Sequence, residues 1–553
     1  MYLDPPFKSG QDYNVLFAEL DGTRSKAQMQ AFEDTWHWDE EAARSYEEVV
    51  EAGGKTSSVM QAFRTFLGTS DMLAYLSMMA PRLVELHRVL KNTGSIYLHC
   101  DPAASHYLKL LLDAVFRPEN FRSEIIWRRT GSHNSSKRFG PIHDVILFYA
   151  KDASKCYFRR VYRPYTKGHV ESYFKLQDEK GKYWTNALTG AGVRHGESGK
   201  PWRNYNPTDT GRHWAIPSRI TEELGLDEDL STQEKLDAMD SGGFVDHPEP
   251  GSNALPTYRQ YLKDSPGLPA QDLWTYQPHT GGINGVLWGT EEGIDEDVRW
   301  LVAQGDSERL GYQTQKPEGL LERIIKSSCP DLGAVLDPFC GCGTTIHVAQ
   351  RFNRPWVGID ITQAAIVVIK KRLADAFGEE VVRSYSVIGE PVSVPDAKAL
   401  ATQDPYQFQW WALGLVGARP VDGKKGADKG IDGRLYFHDE ERGPTKQVIF
   451  SVKAGENVSV AQVRDLRGVI EREKAQIGVM ISMQKPTREM RKEAATAGFY
   501  RSPWGTHPRL QLFTIEELLE GKRVDYPPSQ QVNATYRKAR KDKARPDDQI
   551  PLE

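Results

Sequence analysis

The stretch Val335-Leu336-Asp337-Pro338-Phe339-Cys340-Gly341-Cys342-Gly343-Thr344-Thr345 runs from a short apolar strand into a glycine-rich turn and then into a helix. Glycines there let the backbone come close to a ligand, and the unpaired N–H groups and dipole of the helix that follows favour a negative group such as a carboxylate. Asp360, at the end of Val357-Gly358-Ile359-Asp360, stands 23 residues after Asp337. An acid at the end of the next strand suits the hydroxyls of a ribose. The turn carries Gly-Cys-Gly rather than Gly-x-Gly-x-x-Gly, and no Gly-x-x-x-x-Gly-Lys-Ser/Thr occurs. A dinucleotide oxidoreductase and a P-loop are therefore disfavoured. On this motif alone a tight turn with a purely structural role remains the other reading.

Working outward, regular α/β texture surrounds the turn, with LLERIIKSS at 320–328 before it and a helical run from Thr362 to Phe377 after it. Nearer the N-terminus Leu73, Leu76, Met79, Leu83, Leu86 and Leu90 recur three or four apart, the period of an amphipathic helix, with Asp71 as its expected N-cap. Asn92-Thr93-Gly94 breaks that pattern, and the strand SIYLHC, the helix SHYLKLLLDAVF and the strands SEIIWRR and DVILFYA follow. From Lys151 to about Gly305 the chain is rich in Gly, Pro, Trp and Tyr without a sustained period, which reads as a loop-rich insert. There Arg159, Arg160, Arg163, Lys167, Lys175 and Lys182 interleave with Tyr162, Tyr165, Tyr173 and Phe174. Such mixing suits phosphate contact and base stacking, or else a solvated β surface. Glu222 to Asp240 reads as solvated helix. After Glu390-Pro391 another α/β succession begins, and YRKARKDKAR at 536–545 is a basic tail. The expected division is 1–150, 151–305, 306–390, 391–525 and 526–553.

The chain has 553 residues, enough for about three or four structural units. Apolar residues make up 39% and charged residues 26%, a globular composition. A formal charge of −4 means that nucleic-acid binding must rest on local basic patches. No run approaches the roughly 18 apolar residues of a membrane span, and MYLDPPF lacks the regions of a signal peptide, so a cytoplasmic protein without a membrane partner is expected. The five cysteines form no CxxC pair and show no zinc-type spacing with histidine.

Asp4-Pro5-Pro6-Phe7 follows two strand-compatible residues. An exocyclic amine is a poor nucleophile because its lone pair is delocalised into the ring, so alkylating it requires acceptors that hold the NH2 protons. Asp4 and the Pro5 carbonyl are such acceptors, and Phe7 offers an aromatic surface to replace the stacking lost by a flipped base. As an isolated tetrapeptide, DPPF is more often a simple turn.

Together these segments resemble the amino-methylating DNA methyltransferases of the β arrangement, in which the catalytic motif precedes the cofactor motif. The resemblance spans roughly residues 1 to 375: DPPF from Asp4, GSIYLHCD from Gly94, NFRSEIIWRR from Asn120, GPIHDVILFYAK from Gly140, YQTQKPEGLLERII from Tyr312 and LDPFCGCGTT from Leu336. It implies a Rossmann-like α/β fold dependent on S-adenosylmethionine, with residues 151–305 as target-recognition insert. It further implies methyl transfer to adenine N6 or cytosine N4 of double-stranded DNA in a restriction-modification or defence setting. The initial Asp leans towards adenine, because the cytosine enzymes more often carry Ser there. Asp4, Pro5, Pro6 and Phe7 would be catalytic, and Lys316, Asp337, Phe339, Gly341, Gly343, Thr344, Thr345 and Asp360 would bind the cofactor. The family also carries, upstream of its DPP motif, a strand ending in Gly-Asp that helps form the cofactor's adenine pocket. Here Met1 stands three residues before Asp4, so the expectation is that the chain starts inside the fold.

In the C-terminal unit Ile431-Asp432-Gly433 precedes a hairpin that returns through Val448 to Lys453. An acid and a lysine on paired strands can face one another, as in a metal-dependent phosphodiester hydrolase. Residues 404 to 520 resemble the PD-(D/E)xK nuclease fold, particularly its Mrr-like restriction domain. That resemblance makes Asp432 the ligand of a magnesium ion and Lys453 its catalytic partner; with so few carboxylates the ion would also lean on a backbone carbonyl and on Asp428 or an acid from the preceding helix region. Ser451 stands where those nucleases carry Glu, Asp or Gln. Two alternatives to the methyltransferase reading therefore stay open: an endonuclease using its N-terminal half as a recognition platform, and a non-catalytic DNA-binding remnant. A homodimer is compatible with any of them.

Overall fold

The computed structural model describes residues 1–6, 37–131, 139–163, 165, 167–265, 267–274, 301, 308–310, 314–421, 430–439, 444–455 and 458–527. Phe7, Asp428 and the basic tail lie outside the described residues. The chain divides into two units, one comprising Met1–Arg159, Asp272–Trp274 and Val298–Glu553, the other Arg160–Gln271 and Thr275–Asp297.

All six residues of SIYLHC are buried, and a strand buried on both faces belongs in the interior of a sheet. In the first unit β1 (Tyr2–Leu3) lies parallel to β2 (Ser95–Cys100). Beyond β2 come β3 (Phe121–Arg128) and β4 (His143–Ala150), with β5 (Leu273–Trp274) at the edge, in the order β1-β2-β4-β3-β5. The parallel pair β6 (Val335–Asp337) and β7 (Trp356–Gly358) continues past β1, with β6 beside it. One face packs Leu3, Ile96, Leu98 and Cys100 against α1 (Asp71–Val89) and α2 (Pro102–Phe116). The other packs Tyr97, Trp127, Ile146 and Phe148 against α3 (Glu318–Ser328) and α4 (Thr344–Arg351). The fold is thus the expected α/β type. The N-cap of α1 is Ser70, whose Oγ accepts the Leu73 N–H at 3.3 Å, and Asp71 is the first helical residue.

Following β7, α5 (Gln363–Phe377) leads to the C-terminal domain. There α6 (Pro405–Leu415), β8 (Arg419–Pro420), β9 (Gly433–Phe437), β10 (Lys446–Lys453), α7 (Val460–Arg472), β11 (Ile477–Ser482) and α8 (Arg488–Thr496) precede a ribbon of β12 (Phe499–Ser502) and β13 (Gly505–Pro508), then β14 (Leu510–Thr514). Its sheet has the order β8-β9-β10-β11-β14, antiparallel up to β10 and parallel beyond it. Phe408 and Trp411 cover one face, Leu466, Ile470 and Met490 the other.

The second unit has more order than the loop-rich expectation. It holds a four-stranded antiparallel sheet, from Val245–Asp246 through Thr257–Tyr261 and Gly181–Ala187 to Leu176–Asp178, over a core that includes Trp202, Trp214, Leu236 and Met239. Glu222 to Asp240 is not one solvated helix. It contains the end of helix Ser218–Glu223 and most of helix Thr232–Ser241, whose Leu236 and Met239 are buried. Tyr165 and Phe174 of the basic-aromatic stretch are core residues, whereas Tyr162 and Tyr173 are exposed. Among the described residues no helix is long and apolar enough to cross a membrane.

Candidate active site

The turn after β6 is held from several directions. Asp337 Oδ1 accepts the Phe339 N–H at 3.1 Å, and Thr345 donates its hydroxyl to the same carboxyl. Gly341 and Gly343 have φ of 48° and 74°, where a side chain is strained, and a Cβ on Gly343 would lie 2.7 Å from Ile369. The Gly341 N–H donates to Asp360 Oδ2 at 3.0 Å, while Asp360 Oδ1 accepts from the Thr362 N–H at 2.9 Å and hydroxyl at 2.8 Å. Asp360 thereby clamps the glycine turn to the end of β7. Burial raises the Asp360 carboxyl above its ordinary range.

Thr344 is buried, and its hydroxyl takes a 3.1 Å bond from Arg372, which also reaches Glu318 at 2.9 Å. Glu318 meets Arg351 at 3.0 Å and His347 at 3.4 Å. Burial disfavours the Glu318 charge, yet the surrounding cations hold its carboxyl below the usual range. Burial, reinforced by Arg372, pushes His347 down to about 3. The imidazole is neutral beneath the turn at neutral pH. Thr344 and Thr345 thus spend their hydroxyls holding the turn.

Asp4 sits just past β1, and Lys316 Nζ lies 2.5 Å from its Oδ2 and 3.3 Å from the Thr314 carbonyl. Both side chains are mostly sheltered, at 16% and 12% exposure, and Pro5 is buried. β1 and β6 are neighbours, so the acid of DPP and the acid of the glycine motif come together. Burial raises the Asp337 carboxyl to about 7, and the nearby charges of Asp4 and Asp360 add to the rise. Residues separated by more than 300 positions therefore form one acidic, glycine-lined end of the sheet, with Lys316 as its cation.

Four polar residues missing from the sequence reading lie behind Asp4. Tyr2 Oη is 2.7 Å from His99 Nδ1, His99 Nε2 is 3.0 Å from Asp144 Oδ2, and Arg129 lies 3.0 Å from Asp144 Oδ1. Burial opposes the Asp144 charge, but the bond and charge of His99, together with Arg129, outweigh it and hold the carboxyl below its ordinary range. The available signal was a histidine inside an otherwise apolar strand and an acid heading another.

At the second predicted site Asp432 and Lys453 do meet, with Nζ 3.9 Å from Oδ2. The Asp432 carboxylate is already engaged: Oδ2 accepts the Val452 N–H at 2.6 Å and Oδ1 the Gln409 side chain at 3.0 Å. Ser451 is buried and contributes no carboxylate. Among the described residues no group of three or more His, Cys, Asp or Glu side chains is placed to hold a metal. This donor set does not fit the magnesium ion expected on Asp432, because a hard cation needs several oxygen ligands that are not already satisfied.

The sequence matches the family model described as DNA methylase over residues 1–371, and the one described as NACHT-associated inactive restriction endonuclease 1 over residues 407–520. The type II methyltransferase M.EcaI of Enterobacter cloacae is 30% identical over 302 residues, 54% of this chain and 58% of that protein. The StyLTI Mod subunit, from a type III restriction-modification enzyme of Salmonella typhimurium, is 26% identical over 361 residues, 64% of this chain and 46% of that protein. The chain spans about half the length of these curated relatives. A solved M1.HpyAVI–SAM complex shares 14% identity, covering 54% of this chain and 82% of that one at a TM-score of 0.25.

Proposed function

The chain belongs to the DNA methylase family matched over residues 1–371, and from that premise we propose that it is a site-specific, cytoplasmic DNA methyltransferase that modifies an exocyclic amino group, adenine N6 in preference to cytosine N4. The observation that carries this reading is the Lys316–Asp4 pair beside the Gly341 turn, which joins an amine-holding acid to a ligand-cradling backbone. S-adenosylmethionine, when bound, supplies an electrophilic methyl group. The glycines of the turn and the N-terminus of α4 suit its carboxylate, and Asp360, whose Oδ1 is filled by Thr362 and whose Oδ2 takes one bond from Gly341, keeps a lone pair on Oδ2 for a ribose hydroxyl. Phe339, next to the turn, would pack against it.

Asp4 accepts a hydrogen bond from the target amine and so directs the lone pair outward. Lys316 bonds the carboxylate and fixes its rotamer, and the rigid Pro5-Pro6 pair presents the Pro5 carbonyl as a second acceptor. Phe7 stacks on the base. Residues 151–305 read the target in double-stranded DNA. The C-terminal domain is a non-cleaving module, a reading supported by the engaged Asp432 carboxylate and by the inactive family it resembles.

The test is tritium transfer from labelled S-adenosylmethionine to duplex DNA. Asp4→Ala should lower transfer at least about 100-fold, the scale of losing a positioned catalytic group, with cofactor affinity by calorimetry nearly unchanged. Transfer at the wild-type rate overturns the assignment. Digestion and mass spectrometry should find N6-methyladenine, and N4-methylcytosine alone would reverse the choice of base.

A further inference from the structure

The C-terminal domain carries a groove of ≈ 580 Å³ that is separate from Asp432 and Lys453. Gln476, just before β11, and Arg509, just before β14, mark the end of the sheet at which these parallel strands begin. Lys453 is the last residue of β10, which runs parallel to β11, so it lies at the opposite end. The strand β11 alone spans roughly 20 Å at the usual rise per residue, and one ligand of nucleotide size cannot touch both places.

The lining is basic and aromatic. Lys474, Arg501 and Arg509 face the groove against a single acid, Glu471. None of the three cations forms an ion pair among the described residues, whereas Glu471 is drawn towards Arg467 at 3.7 Å. Side chains alternate along β12, so Phe499 and Arg501 share its outer face and are exposed, while Tyr500 turns inward and bonds Asp439. Phe499 keeps 64% of its surface uncovered by the described residues, a large cost for a phenyl ring. A free aromatic face beside unpaired cations matches the chemistry that holds single-stranded nucleic acid, phosphate on the cations and base on the ring.

We propose that this groove binds an unpaired nucleotide of a nucleic-acid strand, with Lys474, Arg501 and Arg509 on its phosphates and Phe499 stacked on its base. Its rim residues are exposed and it is open rather than enclosed, which lets a strand continue beyond it and suits a polymer better than a free mononucleotide. The site is independent of methyl transfer: it would give the full chain a second nucleic-acid contact that prefers frayed or displaced strands.

Fluorescence anisotropy of the full chain with a labelled single-stranded oligonucleotide, over a range of salt, tests this. Phe499→Ala should weaken binding at least about fivefold at every salt concentration, the low end for one stacked base, and Phe499→Trp should restore it. The triple variant Lys474→Ala, Arg501→Ala, Arg509→Ala should flatten the slope of log affinity against log salt by about 2, from about 0.7 per phosphate contact on single strands. All these side chains reach solvent at the groove, and melting temperatures identify any variant that has unfolded. Unchanged affinity and slope in both variants overturns the proposal. So does an equal loss on blunt duplex, which would make the groove a duplex-backbone site, or dependence of the Phe499 effect on free mononucleotide alone.

Discussion

Asp337 is an acid whose burial favours its neutral form, and this has a consequence for stability against pH. Its carboxyl sits at about 7 in the fold against 3.8 unfolded, so the folded state holds the proton more tightly. The resulting stabilisation is complete below about pH 4 and is lost as pH rises through about 7. Asp337→Asn should therefore flatten the pH dependence of the methyltransferase half between pH 4 and 7, measured by urea unfolding at several pH values; an unaltered profile would show that the carboxyl is ionised throughout. The buried Tyr2–His99–Asp144 chain yields a second expectation. Asp144→Ala leaves His99 Nε2 without its acceptor in a buried site, a loss of about 1–3 kcal/mol, and should lower the melting temperature. Asp144→Asn, which retains an acceptor, should lower it less. Because Tyr2 opens the short strand that delivers Asp4 just past its end, Asp144→Ala should also slow methyl transfer, whereas a change confined to stability would limit these residues to packing.

At the scale of elements, the β6–turn–α4 unit depends on two glycine conformations that other residues adopt only under strain. Gly343→Ala places a Cβ at φ 74° and 2.7 Å from Ile369. Together the left-handed conformation and the overpacking should cost roughly 2–4 kcal/mol, read as a lower melting temperature with weaker cofactor binding. Adding Ile369→Ala should recover the steric part and leave the conformational part. No recovery would mean that the conformation alone carries the cost. The Asp71 expectation shows a related limit of pattern reading. Ser70 and Asp71 are adjacent capping residues, and which of them caps depends on a rotation of a single residue that only the entering chain direction sets.

At the scale of the whole molecule, residues 160–271 form a unit with its own sheet and core, as exchange of a recognition element requires. Replacing this unit by that of a relative should transfer the methylated sequence, since base-edge contacts specify while phosphate contacts position. An unchanged sequence after the swap would put recognition elsewhere. The C-terminal domain should bind DNA without cutting it at any magnesium concentration. Metal-dependent nicking that disappears in Asp432→Ala would reverse that reading and restore the metal site.

What the amino-acid sequence determined by itself was whatever depends on near neighbours in the chain. The strand–turn–helix at 335–345 follows from apolar residues, two glycines and a following helical run within eleven positions. The helix Asp71–Val89, the buried strand Ser95–Cys100 and the hairpin ending at Lys453 follow from local period and turn chemistry. The insert was illegible because its strands are two to seven residues long, too short for a period of two to persist, and because aromatic residues such as Tyr183, Trp202, Trp214 and Phe174 serve cores that contacts distant in sequence create. Tertiary structure alone decided that Lys316 would meet Asp4, that Asp360 would spend its oxygens on Gly341 and Thr362, and that Val452 and Gln409 would occupy Asp432. A carboxylate has a fixed number of lone pairs, and whether a ligand or the protein's own donors fill them depends on which strands the fold places side by side.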